Sequence, residues 1–285
     1  MTFFELWKWG EKRLADAGIR EAELDSRYLL LEAFQMDLAH FLLKEKEQVP
    51  TTDGRTREYS DAVLARASRV PLQYLTGNQE FMGLTFLVDE RVLIPRQDTE
   101  TLVELVLGEN REKHIRVLDL CTGSGCIAVS LAVLGGYEEV DAGDVSADAL
   151  EVAGENGRRL GGNVRFLESD LFSALDRERT YDVIVSNPPY IPTEVIDGLE
   201  PEVRDYEPRL ALDGSADGLK FYRRLAAESP AFLKPGGRLY LEIGWDQGEA
   251  VEELLKENGF EDVKVVRDDA GNCRVVRGVL PEAGK

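Results

Sequence analysis

The feature that most constrains the fold is an alternation of short apolar runs and helical patterns that begins near residue 116. The apolar runs, each typical of a buried strand, lie at 116–120, 139–144, 164–168, 181–185 and 238–243. Strands that alternate with helices join through right-handed crossovers, so this order predicts a mostly parallel, doubly wound α/β sheet. Two final runs, near 263–267 and 274–280, are close enough in sequence to form an antiparallel hairpin at one edge.

The first 77 residues differ in character, because they contain several short helical patterns and little glycine. Thr2 and Glu5 have the spacing of a capping box at the start of the first helix. We expect a small helical bundle at 1–77, which either stabilises the chain or docks a partner. Loose apolar alternation across 78–95 predicts a β-hairpin that bridges to a larger domain at 96–285.

The composition limits the classes of partner. Of the 285 residues, 43% are hydrophobic and 31% are charged, as in ordinary globular proteins, but the net charge is −20. Binding of nucleic acid or of an anionic membrane requires a positive footprint, so we expect neither as a direct partner. The negative charge instead favours a basic partner or serves solubility alone.

The compartment also follows from the sequence. No segment has the pattern of a signal peptide, and no uncharged run approaches the roughly 20 residues of a membrane span, so we expect a cytoplasmic protein. Cys121, Cys126 and Cys273 are an odd and sparse set, which is typical of a reducing compartment. With two distant histidines and no Cys-x-x-Cys pair, we expect no metal site.

The segment Ser186-Asn187-Pro188-Pro189-Tyr190 follows the strand predicted at 181–185. Open α/β sheets bind ligands at the carboxyl ends of their strands, and two prolines make the chain stiff there. The Asn187 amide oxygen and the Pro188 carbonyl are two acceptors beside the flat ring of Tyr190, which together suit a planar –NH2 group. A plain proline turn would have the same sequence, so other residues must decide between the two interpretations.

A glycine turn, Cys121-Thr122-Gly123-Ser124-Gly125-Cys126, follows the first predicted strand of the sheet. The first strand–turn–helix of such sheets holds a nucleotide-like cofactor, because glycine lets a ligand approach the backbone. Asp144 ends the next strand and could accept both hydroxyl hydrogens of an adenosine ribose, or could be an ordinary strand-end acid. Asp119, just before the turn, could hold the backbone of the turn or face a ligand's ammonium group.

Asp170 follows the third predicted strand, in Ser169-Asp170-Leu171-Phe172. Its carboxylate could meet an adenine amine, with Leu171 or Phe172 covering the ring, or could cap a helix instead. No histidine stands near Cys121 or Cys126 in sequence to activate a thiol, so we interpret both as packing residues.

Taken together, these motifs resemble those of the HemK/PrmC family, the S-adenosylmethionine-dependent release factor glutamine methyltransferases. The resemblance covers nearly the whole chain, in order, through segments 71–77, 94–100, 119–128 and 187–190. Cys121 stands where glycine is common, and Leu171 where some members have tryptophan. The four motifs together are specific, whereas the last alone is shared with amino-methylating DNA enzymes.

The resemblance implies a class I methyltransferase fold and a helical front end that helps to grip class I release factors. It implies S-adenosylmethionine as cofactor, S-adenosylhomocysteine as product, and no metal. The implied cofactor-binding residues are Cys121, Thr122, Gly123, Ser124, Gly125, Asp144, Asp170, Leu171 and Asn187. The implied catalytic residues are Asn187, Pro188 and Tyr190, and these three with Pro189 form the implied substrate site.

The implied reaction is methylation of the side-chain amide nitrogen of the glutamine in the Gly-Gly-Gln motif of a release factor. Two related activities stay open: methylation of a ribosomal-protein glutamine and methylation of a DNA adenine amine. The acidity of the chain and the lack of a basic target-recognition segment oppose the DNA activity. A cofactor-binding protein without catalysis is a further alternative, which the intact motif at Asn187 opposes. We expect the acidic segment 191–213 to receive a basic loop of the substrate.

Overall fold

The structure, a computed structural model, describes residues 1–50 and 54–282, and the chain divides into two compact units. The first unit comprises Met1–Asn78 and Glu200–Tyr206, and the second comprises Gln79–Leu199 and Glu207–Lys285. The chain therefore returns to the first unit for one short segment after Asn187 and before the last strands of the sheet.

The first unit is helical. Its helices are α1 (Phe3–Asp16), α2 (Ala22–Phe34), α3 (Leu38–Lys44), α4 (Arg55–Ala67) and α5 (Leu72–Thr76). The predicted capping box is present, since the Thr2 hydroxyl accepts from Glu5 N at 3.2 Å and Glu5 Oε2 accepts from Thr2 N at 2.9 Å. In α2 the aromatic side chain of Tyr28 is exposed, whereas the polar residues Asp25 and Ser26 lie on the buried face.

Asp25 and Ser26 are buried because α4 supplies their partners. Arg66 Nε donates to Asp25 Oδ2 at 2.7 Å, and Tyr59 Oη lies 2.8 Å from Ser26 Oγ. Arg66 Nη1 also donates to Glu202 Oε1 at 3.0 Å, which ties the segment 200–206 to this unit. Helical periodicity counts polar residues as surface, so it cannot anticipate a buried face whose polar groups pair with another helix.

A hairpin of β1 (Asn78–Phe81) and β2 (Leu84–Leu87) precedes a seven-stranded sheet. The sheet consists of β3 (Arg116–Leu120), β4 (Glu139–Asp144), β5 (Val164–Glu168), β6 (Tyr181–Ser186), β7 (Leu233–Glu242), β8 (Glu261–Arg267) and β9 (Cys273–Val279). Its order is β5-β4-β3-β6-β7-β9-β8, with β9 antiparallel to both neighbours and the other pairs parallel. This confirms the predicted mostly parallel sheet with an antiparallel edge hairpin.

Helices connect these strands. They are α6 (Glu100–Glu109), α7 (Cys126–Ser130), α8 (Ala147–Leu160), α9 (Thr193–Ile196), α10 (Pro201–Arg204), α11 (Arg209–Leu212), α12 (Lys220–Glu228) and α13 (Gly248–Glu257). Thr99 stands at the N-cap of α6, but its side chain makes no cap bond. A 3₁₀ turn, Gln97–Thr99, precedes α6, and Asp98 Oδ2 pairs with Arg274 Nη2 at 2.8 Å.

Two apolar layers cover the sheet, one on each face. On the central strands, Val183 and Val185 face one layer while Ile184 faces the other, as alternate residues of a strand must. Buried on both faces, these strands read as continuous apolar runs. Among the described residues, no helix combines the length and apolar character needed to cross a bilayer.

The register of the central strands aligns their carboxyl ends. Leu120 of β3 pairs with Ser186 of β6, and Ser186 pairs with Leu241 of β7. The residues that come next, Cys121, Asn187 and Glu242, therefore form a row at one edge of the sheet, where ligands bind in such folds.

Candidate active site

A cleft with about 960 Å³ of empty space lies at this carboxyl edge, within the second unit. Most of the predicted site residues line it, namely Cys121, Thr122, Gly123, Ser124, Asp144, Asp170, Leu171, Asn187 and Pro189. Gly125, Pro188 and Tyr190 do not. The fold thus brings the glycine turn, the ends of two further strands and the Asn-Pro-Pro segment to one cleft.

The glycine turn has an unusual backbone. Gly123 has φ +53°, Gly125 has φ +79°, and Cys121 has φ +61° even though it carries a Cβ. A Cβ on Gly125 would lie 3.0 Å from Ala153 Cβ, so Gly125 packs the turn against α8. A Cβ on Gly123 would meet no heavy atom within 4 Å, so the backbone at Gly123 faces open space. Gly123 exposes the backbone of the turn to the cleft, and Gly125 shapes the turn from behind.

The Asp144 carboxylate lies at the wall of the cleft and holds the same turn. Its Oδ2 accepts from Gly123 N at 2.8 Å, and its Oδ1 accepts from Ser146 N at 2.9 Å. Burial raises the pKa of Asp144, and these backbone hydrogen bonds oppose that shift. Each carboxylate oxygen can accept a second hydrogen bond, so Asp144 can still receive two hydroxyl groups of a ligand.

Asp119 holds the turn from beneath and does not line the cleft. Its Oδ2 accepts from Thr122 Oγ1 at 2.6 Å and from Ala128 N at 3.2 Å. Its Oδ1 is buried and has no hydrogen-bond partner in the described part of the chain. Burial raises the pKa of Asp119 to about 7, and the nearby charge of Asp144 adds to this shift. The sequence left two roles open for Asp119, to hold the turn or to face a ligand's ammonium group. Its hydrogen bonds with Thr122 and Ala128 support the first role.

The third strand contributes an acid and an apolar wall. Asp170 Oδ1 pairs with Arg224 Nη1 at 2.6 Å and faces the cleft. Leu171, with φ +50°, lines the cleft, whereas Phe172 stacks on Phe232 in the apolar layer with ring centroids 4.8 Å apart. Leu171, not Phe172, therefore supplies the apolar cover at this wall.

Cys121 and Cys126 both line the cleft as neutral thiols. Burial raises the pKa of the Cys126 thiol to about 12 and raises that of Cys121 further. A thiol at such a pKa is not a nucleophile at neutral pH. Both residues are free cysteines.

The Asn-Pro-Pro segment is held rigidly. Asn187 Nδ2 donates to Thr99 Oγ1 at 3.4 Å, and Gln247 Nε2 donates to the Tyr190 carbonyl at 3.0 Å. Gly214 and Gly218 pack closely against the Tyr190 backbone. A Cβ on Gly214 would lie 2.8 Å from Tyr190 Cα, and a Cβ on Gly218 would lie 2.3 Å from the Tyr190 carbonyl oxygen. The Tyr190 ring packs against the apolar layer beside α12.

Several lining residues were not predicted as site residues. They include Pro95, Arg96, Thr99, Pro208, Leu210, Ala211 and Phe221. Arg96 Nη2 donates to both carboxylate oxygens of the buried Glu207 at 2.7 Å, which fixes the guanidinium at the rim. Segment 94–100 is one of the four segments that resemble the HemK/PrmC family, but the sequence assigned it no role. That resemblance was the one indication that Pro95, Arg96 and Thr99 belong to the site.

Comparisons with known proteins follow the division into two units. The PrmC N-terminal domain model matches residues 5–77, and the methyltransferase small domain model matches residues 97–197. A release factor glutamine methyltransferase of Geobacter sulfurreducens is 42% identical over 278 residues, which cover 97% of this chain and 96% of that protein. The chain belongs to the release factor glutamine methyltransferase family.

A second relative gives the same result. The release factor glutamine methyltransferase of Moorella thermoacetica is 45% identical over 268 residues, covering 92% of this chain and 93% of that protein. Among solved structures, a methyltransferase from Pyrococcus furiosus superposes with a TM-score of 0.53 and 20% identity, over 78% of this chain and 98% of that one. The sequence relatives confirm the predicted family, and the structural likeness supports the methyltransferase fold.

Proposed function

We propose that this chain transfers the methyl group of S-adenosylmethionine to the side-chain amide nitrogen of a glutamine, in the Gly-Gly-Gln motif of a class I peptide-chain release factor. The observation that carries the proposal is that Asn187 lines the same cleft as the glycine turn and Asp144. An amide-binding group and a ribose-binding group then share one cavity. The names of the relatives supply the class of substrate.

The cleft suits S-adenosylmethionine, which would supply a methyl group activated on a sulfonium. Asp144 would accept the ribose hydroxyls, the open backbone at Gly123 would pass close to the ligand, and Leu171 would cover the adenine. Cys121, Thr122, Ser124 and Asp170 complete this wall, and Gly125 acts by shaping the turn.

Asn187 and Pro188 would activate the substrate amide. A glutamine amide nitrogen is a poor nucleophile, because its lone pair is conjugated into the carbonyl. Acceptance of its two hydrogens by Asn187 Oδ1 and the Pro188 carbonyl would draw electron density onto nitrogen and orient the lone pair. Pro188 does not itself line the cleft, and what supports its role is its position in the chain between two residues that do, Asn187 and Pro189.

Positioning supplies the remainder of the catalysis in this proposal. The contacts with the Tyr190 backbone would help to keep the acceptors of the preceding residues in place, and orientation of this kind can contribute several kcal/mol. Tyr190 does not line the cleft, so the predicted packing of its ring on the plane of the bound amide would require the ring to leave the apolar layer. We assign no general base, because the nitrogen proton becomes acidic only after the methyl group has been transferred.

The partner part of the proposal rests on charge and on the family. We propose that the helical domain at 1–77 grips the release factor, that 78–95 bridges, and that 96–285 is the methyltransferase domain. Within the acidic segment 191–213, Glu202 is paired with Arg66 and Glu207 with Arg96, and most of the other acids are paired with arginines on the exposed surface. A basic substrate loop would therefore compete with these exposed pairs. With a net charge of −20, we propose a cytoplasmic enzyme with neither nucleic acid nor membrane as direct partner.

The test is a methyl-transfer assay with labelled S-adenosylmethionine and, separately, a release factor, ribosomal proteins and a DNA oligomer. Label should enter the release factor glutamine. Asn187→Ala should lower turnover on the order of 10²–10³-fold, the range seen when one preorganised transition-state hydrogen bond is removed. Its melting temperature should stay close to that of the wild type, because the hydrogen bond from Asn187 Nδ2 to Thr99 Oγ1 is long, at 3.4 Å.

Asn258→Ala is the matched control, since Asn258 only caps the end of α13 through a bond to Leu254 O at 2.8 Å. It should retain full turnover. Label that enters DNA alone would defeat the proposal, and label in ribosomal proteins alone would favour the related glutamine methylation.

A further inference from the structure

A buried carboxyl group, Glu242, lies directly beside Asn187. In the parallel register of β6 and β7, Ser186 pairs with Leu241, so Asn187 and Glu242 follow at the same level. Glu242 is 1% exposed, and its Oε2 has no hydrogen-bond partner among the described residues. A buried carboxyl group that lacks a full set of partners is costly in a fold, so its position at the cleft edge requires a reason.

The Glu242 carboxyl interacts with two side chains that line the cleft. The hydroxyl of Thr99 and the amide of Asn187 lie close enough to this carboxyl to lower its pKa and so favour its ionised form, and both side chains line the cleft. Asn187 Nδ2 also donates to Thr99 Oγ1 at 3.4 Å. The Thr99 hydroxyl accepts from Asn187, so its one hydrogen can be donated to Glu242. The nitrogen of the Asn187 amide is therefore held on the side of Thr99 and Glu242.

This contact decides which way the amide points. An ionised carboxylate is an acceptor only, so it holds the –NH2 end of an amide and repels the oxygen end. If the Asn187 amide were flipped, its oxygen would face the carboxylate, and its –NH2 would face the substrate –NH2, donor against donor. Only the orientation with Nδ2 toward Glu242 leaves Oδ1 free to accept from a substrate amide.

We propose that Glu242 is a positioning residue, which fixes the Asn187 amide so that Oδ1 faces the substrate nitrogen. The proposal deepens the proposed function and rests on it for the identity of the substrate group. Glu242 itself does not line the cleft, so it acts through Asn187 and Thr99.

The charge state of Glu242 gives this role a pH signature. Burial raises the pKa of Glu242 to about 7, against the hydrogen bond from Thr99. The other titratable or charged groups that face it are Arg274 of β9, which favours the carboxylate, Asp98 of the 3₁₀ turn, which opposes it, and Tyr190, Tyr222 and Cys126, which stay neutral near pH 7. Arg274 also pairs with Asp98 at 2.8 Å and Asp268 at 3.2 Å, so its charge is shared.

A protonated Glu242 can also donate a hydrogen bond, so it can then pair with the oxygen of a flipped Asn187 amide. The activity of the wild type should therefore fall as the pH drops through about 7.

The kinetic test compares the full-length wild type with Glu242→Gln, measuring kcat and KM for methyl transfer to a release factor from pH 6 to 9. The glutamine side chain accepts and donates at every pH, so it does not enforce one orientation. Its kcat should fall about 10- to 100-fold at pH 8.5, the scale of a misplaced reacting group, with the acid limb near pH 7 lost and the KM for S-adenosylmethionine unchanged. Wild-type kcat with an unchanged pH profile would overturn the proposal, as would a loss explained by weaker cofactor binding.

Glu109→Gln is the matched control. Glu109 Oε2 accepts from Tyr240 Oη at 2.8 Å, and Tyr240 lies on the same strand and face as Glu242 but outside the cleft. This variant should keep the wild-type kcat and pH profile.

A second measurement needs neither a Glu242 variant nor a substrate. In protein labelled with ¹⁵N-asparagine, the side-chain –NH2 resonance of Asn187, assigned by its loss in Asn187→Ala, should titrate with a midpoint near pH 7. A resonance that does not shift between pH 5.5 and 8.5 would refute the contact with Glu242. A wild type that shows the titration but methylates no release factor would instead refute the proposed function and leave the contact standing.

Discussion

The replacement Asp119→Asn tests whether the carboxyl group beneath the glycine turn is costly to the fold. Burial raises the pKa of Asp119 from its ordinary 3.8 to about 7. Between these values the folded protein binds more protons at this site than the unfolded chain does. The stability of the folded wild type should therefore decrease as the pH rises through this window. Asparagine keeps the acceptor that Thr122 and Ala128 use and cannot ionise.

The size of the effect follows from the two pKa values. One unit of difference corresponds to about 1.4 kcal/mol, so ionisation of Asp119 costs the fold about 2 kcal/mol at pH 5.5 and about 4 kcal/mol at pH 8. Whatever the amide group itself costs, that cost does not depend on pH. The stability of Asp119→Asn relative to the wild type should thus increase by about 2 kcal/mol between pH 5.5 and pH 8.

Urea unfolding followed by far-UV circular dichroism at the two pH values measures this difference. Asp141→Asn is the control in the neighbouring strand. Burial opposes the ionisation of Asp141, but hydrogen bonds from Arg165, Tyr181 and Arg179 outweigh it and lower its pKa below 3.8. Asp141 is therefore ionised at both pH values, and its variant should be destabilised equally at both. If Asp119→Asn and the wild type differ by the same amount at pH 5.5 and pH 8, the buried charge is not costly and the reasoning fails.

Two further predictions concern the cofactor wall and the helical unit. Asp144→Ala should weaken binding of S-adenosylhomocysteine about 10- to 100-fold in calorimetry, because a hydrogen bond to a charged acceptor contributes about 1.5–3 kcal/mol; unchanged binding would exclude the ribose role. Arg66→Ala should destabilise the first unit by about 3–5 kcal/mol in urea unfolding, because it leaves the Asp25 carboxylate buried without its partner. The exposed Arg57→Ala should cost less than about 1 kcal/mol, and an equal effect of both variants would argue against the buried pair.

Local sequence predicted the sheet well for a physical reason. A strand buried on both faces is a continuous apolar run, and the alternation of such runs with helices leaves few topologies. The motifs of the cleft were equally local, because Gly123, Asp144 and Asn187 act through the backbone geometry of the turn or strand end that carries them. All three line the cleft.

The sequence could not predict contacts with residues that are distant along the chain. Nothing in the sequence near Asp170 indicates its ion pair with Arg224, and nothing near Asp98 indicates its ion pair with Arg274. Side chains at such positions choose between a local cap and a remote ion pair, and the remote group is brought near only by the fold. Glu242 was missed for the same reason, since its relation to Asn187 exists only in the register of two strands.

The two buried carboxyl groups of the site lead to one conclusion. Asp119 supports the glycine turn and Glu242 stands beside Asn187, and burial raises the pKa of each to about 7. Each also has one oxygen without a partner among the described residues. An apolar or amide side chain at either position would remove a buried charge, so stability alone does not favour a carboxyl group there. A carboxylate differs from an amide in accepting hydrogen bonds without donating any, and at Glu242 the orientation of one end of a neighbouring amide requires that property.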